Sequence, residues 1–275
     1  MNSCQKYFSA CLLALLGQAA FAQAPTLGAA SAFSVLGGTA VTCTTSVVTG
    51  DVGVSPGTAF TNTGCTIAGG VPPATNVAAA AAHNDLLIAY AALQSTACTG
   101  TLLSTIPAST TLAPGVYCTG AALTATDVTL TLDAGGNANA VWIFKTGAAL
   151  TGTNFTVVMA NGAQPCNVYW WVAQAVTMTD SNFVGTIFAG AAITLTRGTF
   201  NGDAYAKAAV TMTGTTVTAC TQGGTSNPPR LRCNQGVGNG PEGCDPGNSN
   251  QGNPFRSNDE LGGKPGDPGR KGGNK

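Results

Sequence analysis

A repeat of 17 residues near the end of the chain is the feature that most limits how this sequence can fold. The repeating segments are 172–188, 189–205 and 206–219, of which the last is shorter. Corresponding positions carry similar residues: Val176, Ile193 and Val210; Thr177, Thr194 and Thr211; Met178, Leu195 and Met212; Thr179, Thr196 and Thr213; Phe183, Phe200 and Val217. A fixed period of this size with one turn signal per unit predicts the stacked coils of a β-solenoid. An up-and-down barrel also alternates polar and apolar residues, but it does not repeat residue identities at a fixed spacing.

Each repeat contains a strand in which large and small side chains alternate. Because neighbouring side chains of a strand point to opposite faces, Val176 and Met178 are predicted to face the core. Stacked coils then align the outward residues in files with a spacing of about 4.7–4.9 Å. The predicted outward set, including shorter versions of the pattern elsewhere in the chain, is Ala40, Thr42, Ala122, Thr124, Ala149, Thr151, Ala175, Thr177, Thr179, Ala192, Thr194, Thr196, Ala209, Thr211 and Thr213.

This outward set predicts a flat, rigid and uncharged surface. Threonine is stiff about χ1, so its methyl and hydroxyl groups hold fixed positions, and alanine keeps the surface flat. The β-propensity of threonine explains any single residue of the set. It does not explain the lack of Lys, Glu, Asp, Asn and Arg, because an exposed uncharged strand face promotes aggregation. The strand spacing is close to the repeat of water oxygens in an ice lattice, so we hypothesise that the face holds an ice-like layer of water.

The charge distribution excludes whole classes of partner. Residues 23–220 hold nine charged side chains: Asp51, Asp85, Asp127, Asp133, Lys145, Asp180, Arg197, Asp203 and Lys207. Nucleic acids and anionic membranes attract proteins through clustered Lys and Arg, and three scattered basic residues make no such patch. We therefore expect neither as a partner, and favour one that is neutral and extended.

The first 22 residues read as a secretory signal, with Lys6 before an apolar run and Ala20-Phe21-Ala22 as the cleavage site. The protein is thus predicted to be secreted, with the periplasm and the cell surface as alternative locations, and no other segment is long and apolar enough to span a membrane. Cleavage leaves eight cysteines: Cys43, Cys65, Cys98, Cys118, Cys166, Cys220, Cys233 and Cys244. An even number in an exported chain predicts disulfides, whose pairing the sequence leaves open. Zinc is the less favoured alternative, because the chain has no CxxC pair and one histidine.

Composition divides the mature chain into a body and a tail. The body, 23–220, is predicted to hold one helix at about 74–97, where Leu86, Tyr90 and Leu93 recur at helical spacing. The tail, 221–275, is rich in Gly, Pro and Asn and carries twelve charges. It has too few apolar residues to offset its ordering entropy, so we expect a flexible extension that a Cys233–Cys244 loop would pin.

The order of several sequence blocks resembles the ice-binding-protein-like family of secreted microbial β-solenoids. The blocks are LGAASAFSVL at 27–36, GDVGVSPG at 50–57, the helix around 85–93, LAPGVY at 112–117, WIF at 142–144 and FVGTIF at 183–188. This resemblance implies a discontinuous right-handed β-helix of triangular section, in which the N-terminal and C-terminal parts share one stack and the helix lies along its side. It also implies a monomer without metal or cofactor that adsorbs to ice and causes thermal hysteresis.

The family's ice-adsorbing strands resemble Thr-Ala-x-Thr, and Thr39-Ala40-Val41-Thr42 matches this pattern. The other strands depart at the first position, which we expect to point inward, and carry Ala121, Ala148, Gln174, Ala191 and Ala208 there.

Two other functions are weighed against ice binding. A β-helical polysaccharide lyase or hydrolase needs paired carboxylates, or a base beside a cation, in one cleft. His83 lies on the predicted helix. Asp180, Arg197 and Asp203 are expected at non-equivalent positions, where they would form a surface ion pair, so we predict no enzyme.

An adhesin or carbohydrate-binding module is the stronger alternative, and its stacking candidates are Tyr169, Trp170 and Trp171. Only one of the two tryptophans can face outward, and core packing explains them more simply.

Overall fold

The structure, a computed structural model, describes residues 22–71 and 77–220. Helix α1 spans Val77–Ser95, and two 3₁₀ turns span Gly28–Ala32 and Pro165–Asn167. The strands are β1 Phe33–Gly37, β2 Ala40–Thr44, β3 Val47–Thr49, β4 Asp51–Val54, β5 Ala59–Thr63, β6 Thr66–Ile67, β7 Gly100–Thr101, β8 Ser109–Leu112, β9 Gly115–Thr119, β10 Leu123–Thr126, β11 Thr129–Asp133, β12 Trp142–Thr146, β13 Leu150–Thr153, β14 Thr156–Ala160, β15 Val168–Val172, β16 Val176–Val184, β17 Thr186–Ala189, β18 Ile193–Asn201, β19 Ala204–Ala206, β20 Val210–Thr213 and β21 Thr216–Thr218. The proposed signal peptide through Phe21 and the tail at 221–275 lie outside the described residues.

Successive coils place their strands on three faces, and the strand pairs are parallel throughout. The helix face has the order β4-β1-β19-β17-β15-β12-β9-β7. The second sheet bends, and every coil except that of β7 and β8 crosses the bend through a residue with positive φ, such as Asp127, Asp180 or Arg197. On one side of the bend lies the threonine face, formed by β5, β2, β20, the first halves of β18 and β16, β13 and β10. On the other side lies the third face, formed by β6, β3, β21, the second halves of β18 and β16, β14, β11 and β8. These parallel coils confirm the predicted mainly β solenoid.

The stack is discontinuous in sequence. Strands β1, β2 and β3 form a coil that lies between the coil of β4, β5 and β6 and the C-terminal coil of β19, β20 and β21. After β6 the chain must reach the far end of the stack, where β7 and β8 begin the remaining coils. The 19 residues of α1 cover about 28 Å at ~1.5 Å per residue. Eight coils spaced by ~4.8 Å span about 34 Å, so the helix provides most of the return path.

The interior of the solenoid is filled by the inward side chains of all three faces. Part of it is an aromatic stack, in which the ring centroids of Phe144 and Trp170 lie 4.0 Å apart and those of Trp170 and Phe183 lie 4.9 Å apart. The inward position 152 requires glycine, because a Cβ there would lie 2.5 Å from the sulfur of Met178. Burial of these apolar groups is the main stabilising contribution to such a core.

The helix face is buried on both sides because α1 packs along its outer surface. Leu86, Leu93 and several alanines of the helix are buried against outward side chains of this face, including Phe188 and Tyr205. The small alanine side chains allow close approach of the helix. Tyr169 and Trp171 lie under the helix, and Trp170 lies in the solenoid core. The three aromatic residues considered for sugar stacking are therefore all buried.

Three disulfides join cysteines of the described residues: Cys43–Cys65, Cys98–Cys118 and Cys166–Cys220. The first fastens the end coil to its neighbour, and the third fastens the end of the body to the start of β15. Cys233 and Cys244 lie outside the described residues.

Lys145, an outward residue of β12, holds the end of the helix. Its Nζ donates to the carbonyl oxygens of Gln94 at 2.8 Å and Thr96 at 2.6 Å, where a cation also suits the negative end of the helix dipole. Replacing Lys145 by methionine is expected to lower the free energy of unfolding by about 1–2 kcal/mol, measured by urea denaturation with the disulfides intact. Lys145→Arg, which keeps a cationic donor, should lose less. An unchanged urea midpoint for Lys145→Met would show that this contact contributes nothing.

Candidate functional site

The threonine face carries a file of threonines that crosses the whole stack. From one end of the stack to the other, the file is Thr61, Thr42, Thr211, Thr194, Thr177, Thr151, Thr124 and Thr105. Each residue is the direct register partner of the next, so no other residue type interrupts the file. Parallel pairing places successive members about 4.8 Å apart.

A second file of threonines runs beside the first, two residues further along each strand. Its members are Thr63, Thr44, Thr213, Thr196, Thr179, Thr153 and Thr126. A file of alanines flanks the first file on the other side: Ala59, Ala40, Ala209, Ala192, Ala175, Ala149 and Ala122. All of these residues are exposed or half-buried, so the face is a two-dimensional array of hydroxyl and methyl groups open to solvent.

The array is held rigid by the residues that alternate with it. Val41, Val210, Ile193, Val176, Leu150 and Leu123 lie between the alanine file and the first threonine file along each strand and are fully buried. Their burial fixes the strand orientation, because a shift of one residue would turn every apolar side chain outward. The backbone ladder fixes the spacing between coils, and χ1 stiffness fixes each threonine methyl and hydroxyl.

The hydroxyl groups of the two threonine files are available to water. Within the described residues, none of them is hydrogen-bonded to another protein group. No charged side chain interrupts the three files either. The face therefore offers a regular pattern of donors, acceptors and methyl groups, and among the described residues no protein group competes with water for the threonine hydroxyls.

All fifteen residues that the sequence predicted for the outward set lie on this one face. The sequence prediction missed other members of the same files: Thr44, Ala59, Thr61, Thr63, Thr105, Thr126 and Thr153. Most of them carried a readable signal, because Thr-x-Thr recurs at 42–44, 61–63, 124–126 and 151–153 as it does at 177–179. Thr105 carried none, since it stands in an isolated bridge to Thr124 outside any regular strand.

The expectation that the first position of Thr-Ala-x-Thr points inward is wrong. Thr39, Ala121 and Gln174 are exposed, and the corresponding residues of the other coils are half-buried. They lie at the corner between the helix face and the threonine face, where the backbone turns and strand alternation does not apply. The departures from threonine at this position therefore alter the border of the threonine face and leave its files intact.

The expected surface ion pair forms between Asp180 and Arg197, but the expectations that these two residues are non-equivalent and that Asp203 joins them at the surface are wrong. Asp180 and Arg197 occupy equivalent corner positions of adjacent coils and form an exposed ion pair, with Nε of Arg197 2.6 Å from Oδ1 of Asp180. This bonding lowers the pKa of Asp180. Asp203 belongs to the other side of the solenoid, on the helix face, and its side chain is buried.

The carboxyl group of Asp203 accepts hydrogen bonds beneath the end of the body. The backbone N–H of Cys220 donates to Oδ1 at 3.1 Å, and the hydroxyl of Thr186 donates to Oδ2 at 3.3 Å. Burial raises the pKa of Asp203 to about 7, although these hydrogen bonds act in the opposite direction. The carboxyl group thus titrates near neutral pH, remote from the threonine face.

Among residues 22–71 and 77–220, no cluster of three or more His, Cys, Asp or Glu side chains is placed to hold a metal ion. The same part of the chain contains no helix with the length and hydropathy of a membrane span. His83 lies half-buried on α1, and burial, followed by the charge of Lys207, lowers its pKa.

Comparison with known proteins identifies the family. A sequence profile described as Ice-binding-like matches residues 35–218, which is more than half of the chain. This chain belongs to the ice-binding-like family. The match runs from Val35 in β1 to Thr218 at the end of β21, and therefore covers the whole of the threonine face and of the third face.

Individual members of the ice-binding-like family agree with this assignment. An ice-binding protein of Nostoc sp. (strain HG1) is 37% identical over 165 residues, which cover 59% of this chain and 61% of that protein. This chain thus spans about three fifths of that relative's length. The crystal structure of an ice-binding protein from an Antarctic biological consortium superposes with a TM-score of 0.68 at 33% identity, covering 71% of this chain and 92% of the other. One from an Antarctic Flavobacteriaceae bacterium gives 0.69 at 38% identity, covering 80% and 50%.

Proposed function

We propose that this protein adsorbs to ice through the threonine face and thereby limits ice growth and recrystallisation. The observation that carries the proposal is the uninterrupted file of eight threonines, Thr61 to Thr105, with a parallel file of seven beside it. Its relatives are described as ice-binding proteins, which supports the same function for this chain.

Ice adsorption follows from the way in which such a face orders the water in contact with it. The hydroxyl groups bind water at fixed positions, and the threonine methyl groups and the alanines form a flat apolar surface beside them. Water over the face is therefore restrained into an ordered layer whose repeat follows the coil spacing. A layer that already has the order of ice can merge with a crystal, after which the bound protein obstructs growth around it.

Further proposals concern the location and the state of the protein. The three disulfides of the described residues support export to an oxidising compartment, as the proposed signal at 1–22 requires. We expect the protein to act as a monomer, without cofactor or metal, and without catalytic activity. A carbohydrate-binding or adhesive function is the second candidate, but burial of Tyr169, Trp170 and Trp171 removes the aromatic platform that favoured it.

The test is thermal hysteresis of the purified protein in a nanolitre osmometer, with and without residues 221–275. We expect a gap between melting and freezing points and faceted crystals in both forms, because the threonine face lies wholly within the body. Absence of both effects in both forms would reject ice adsorption and favour the adhesive function.

A further inference from the structure

A lysine stands at the corner where the coils turn from the helix face to the threonine face. The residue that directly follows each helix-face strand lies at this corner, and from the coil of β4 to the coil of β9 these residues form a border file. Its members are Ser55, Gly38, Lys207, Gly190, Ala173, Gly147 and Gly120. Lys207 carries the only charge of the border file, and the other six members are glycine, alanine or serine. The coil of Lys207 continues directly into Ala209 and Thr211 of the threonine face.

The side chain of Lys207 lies over helix α1. Its Nζ atom is 3.6 Å from the centroid of the Tyr90 ring, which is a cation–π contact. The Tyr90 ring is fixed, because its hydroxyl donates to the carbonyl oxygen of Val172 at 3.3 Å and its centroid lies 5.2 Å from that of Trp171. Burial, followed by the charge of Lys207, lowers the pKa of His83, so this neighbour is neutral at pH 7 and does not repel the ammonium group. The ring therefore draws the ammonium group toward the helix, on the side of the corner opposite to the threonine face.

A lysine without this contact would reach the threonine face from the same corner. Lys207 and Ala209 are two residues apart, so their Cα atoms are separated by at most about 7 Å. The flexible four-carbon stem of lysine covers a similar distance, and its ammonium group is compact and strongly hydrated. The hydration shell of an ammonium group over the alanine file would disturb the ordered water that the face restrains.

We propose that Tyr90 is a positioning residue for ice adsorption, which holds the ammonium group of Lys207 off the threonine face. This inference rests on the proposed function. The rival role is purely structural, in which the contact only holds α1 on the helix face. The two roles differ in one respect. If Tyr90 acts through Lys207, removal of the lysine charge restores the hysteresis that is lost with the ring, whereas in the structural role it restores nothing.

The experiment measures thermal hysteresis of full-chain variants at pH 7 and at equal concentrations of folded protein. Loss of a cation–π contact of ordinary strength raises the time that the ammonium group spends over the face about two- to fivefold. We therefore expect Tyr90→Leu to lower the hysteresis, and Tyr90→Phe, which keeps the ring, to retain it. Tyr90→Leu with Lys207→Met should return to the wild-type hysteresis, and Lys207→Met alone should match the wild type.

Urea denaturation of the same variants separates positioning from stability. Tyr90→Leu and its double variant with Lys207→Met should both have lower urea midpoints than the wild type, although only the first has lower hysteresis. Wild-type hysteresis in Tyr90→Leu, or a loss that Lys207→Met leaves unrestored, would overturn the positioning role and leave the proposed function standing. An inactive wild-type protein would reject the proposed function itself.

A second pair of variants tests the proposal without disturbing the packing of α1. Gly120 belongs to the border file, and a Cβ at this position meets no other atom within 4 Å, so a side chain is accommodated there. Gly120→Lys adds an ammonium group to the border file, and Gly120→Met adds an uncharged side chain of similar length. We expect Gly120→Lys to lose more hysteresis than Gly120→Met, with unchanged circular dichroism spectra. Equal hysteresis of the two variants would show that a charge on the border file does not disturb adsorption, and would overturn the proposal.

Discussion

Replacing Thr194 and Thr211 together by tyrosine is expected to abolish most thermal hysteresis and ice shaping while leaving the fold intact. The two residues are register partners near the middle of the first threonine file. Both are half-buried on the outer surface, so the larger side chain has room to extend into solvent. Each tyrosine ring would stand above the plane of the face and hold the surrounding threonines away from ice. Nanolitre osmometry measures the loss, and circular dichroism and thermal denaturation verify the fold.

The matched control adds two tyrosines elsewhere on the surface. Asn84 and Ala91 lie two turns apart on the exposed side of α1, away from the threonine face. Asn84→Tyr with Ala91→Tyr should therefore keep wild-type hysteresis. Retention of hysteresis in the Thr194→Tyr, Thr211→Tyr variant would show that the threonine face is not the principal adsorbing surface.

Replacing Asp203 by asparagine is expected to stabilise the protein above neutral pH. In the folded protein this carboxyl has a pKa of about 7, whereas an unfolded aspartate has a pKa of about 3.9. Between these values the unfolded chain is ionised while the folded one stays protonated, so the wild-type protein loses stability as the pH rises from about 4 to about 7. At ~1.4 kcal/mol for each pKa difference of one, the loss is on the order of 4 kcal/mol. Asparagine does not ionise and removes this loss.

Urea denaturation at pH 5 and pH 8, with the disulfides intact, measures the effect. The wild-type midpoint should be lower at pH 8, and the Asp203→Asn midpoint should differ much less between the two pH values. Asp180→Asn serves as control, since its ion pair with Arg197 lowers the pKa of Asp180 and its titration is complete below this range. Equal pH dependence of the wild-type and Asp203→Asn proteins would show that Asp203 is ionised in the fold at both values.

The sequence predicted the site best where the chain passes directly from one coil to the next. Thr177, Thr194 and Thr211 lie in adjacent coils, so the 17-residue period brings them into register, as the structure shows. Earlier in the chain the coils are longer than 17 residues, because the turns around Asn137 and Asn161 are longer. Thr124 and Thr151 were therefore assigned to the file from the local strand pattern alone. Thr61 and Thr63 were missed because their strand carries Phe60 and Asn62 at positions where the repeats have aliphatic residues.

The burial of Asp203 shows a different limit of sequence reasoning. From the sequence, Asp203 is expected at the surface, in an ion pair. Its burial depends on the segment ending at Cys220, which the disulfide to Cys166 holds over the carboxyl group. A contact of this kind involves residues from different coils and leaves no periodic signal.

The sequence by itself determined the coil, the alternation of inward and outward residues, and the uncharged character of the threonine face, because each depends on neighbours along the chain or one period away. Only the tertiary structure decided that Thr42 and Thr61 extend the file beyond Thr211, which cysteines pair, and that two faces remain open while the helix covers one. These features depend on which strand edges meet after α1 returns the chain along the stack. Backbone hydrogen bonding between edges is nearly independent of sequence, so the order of distant coils is fixed by the packing of the whole body.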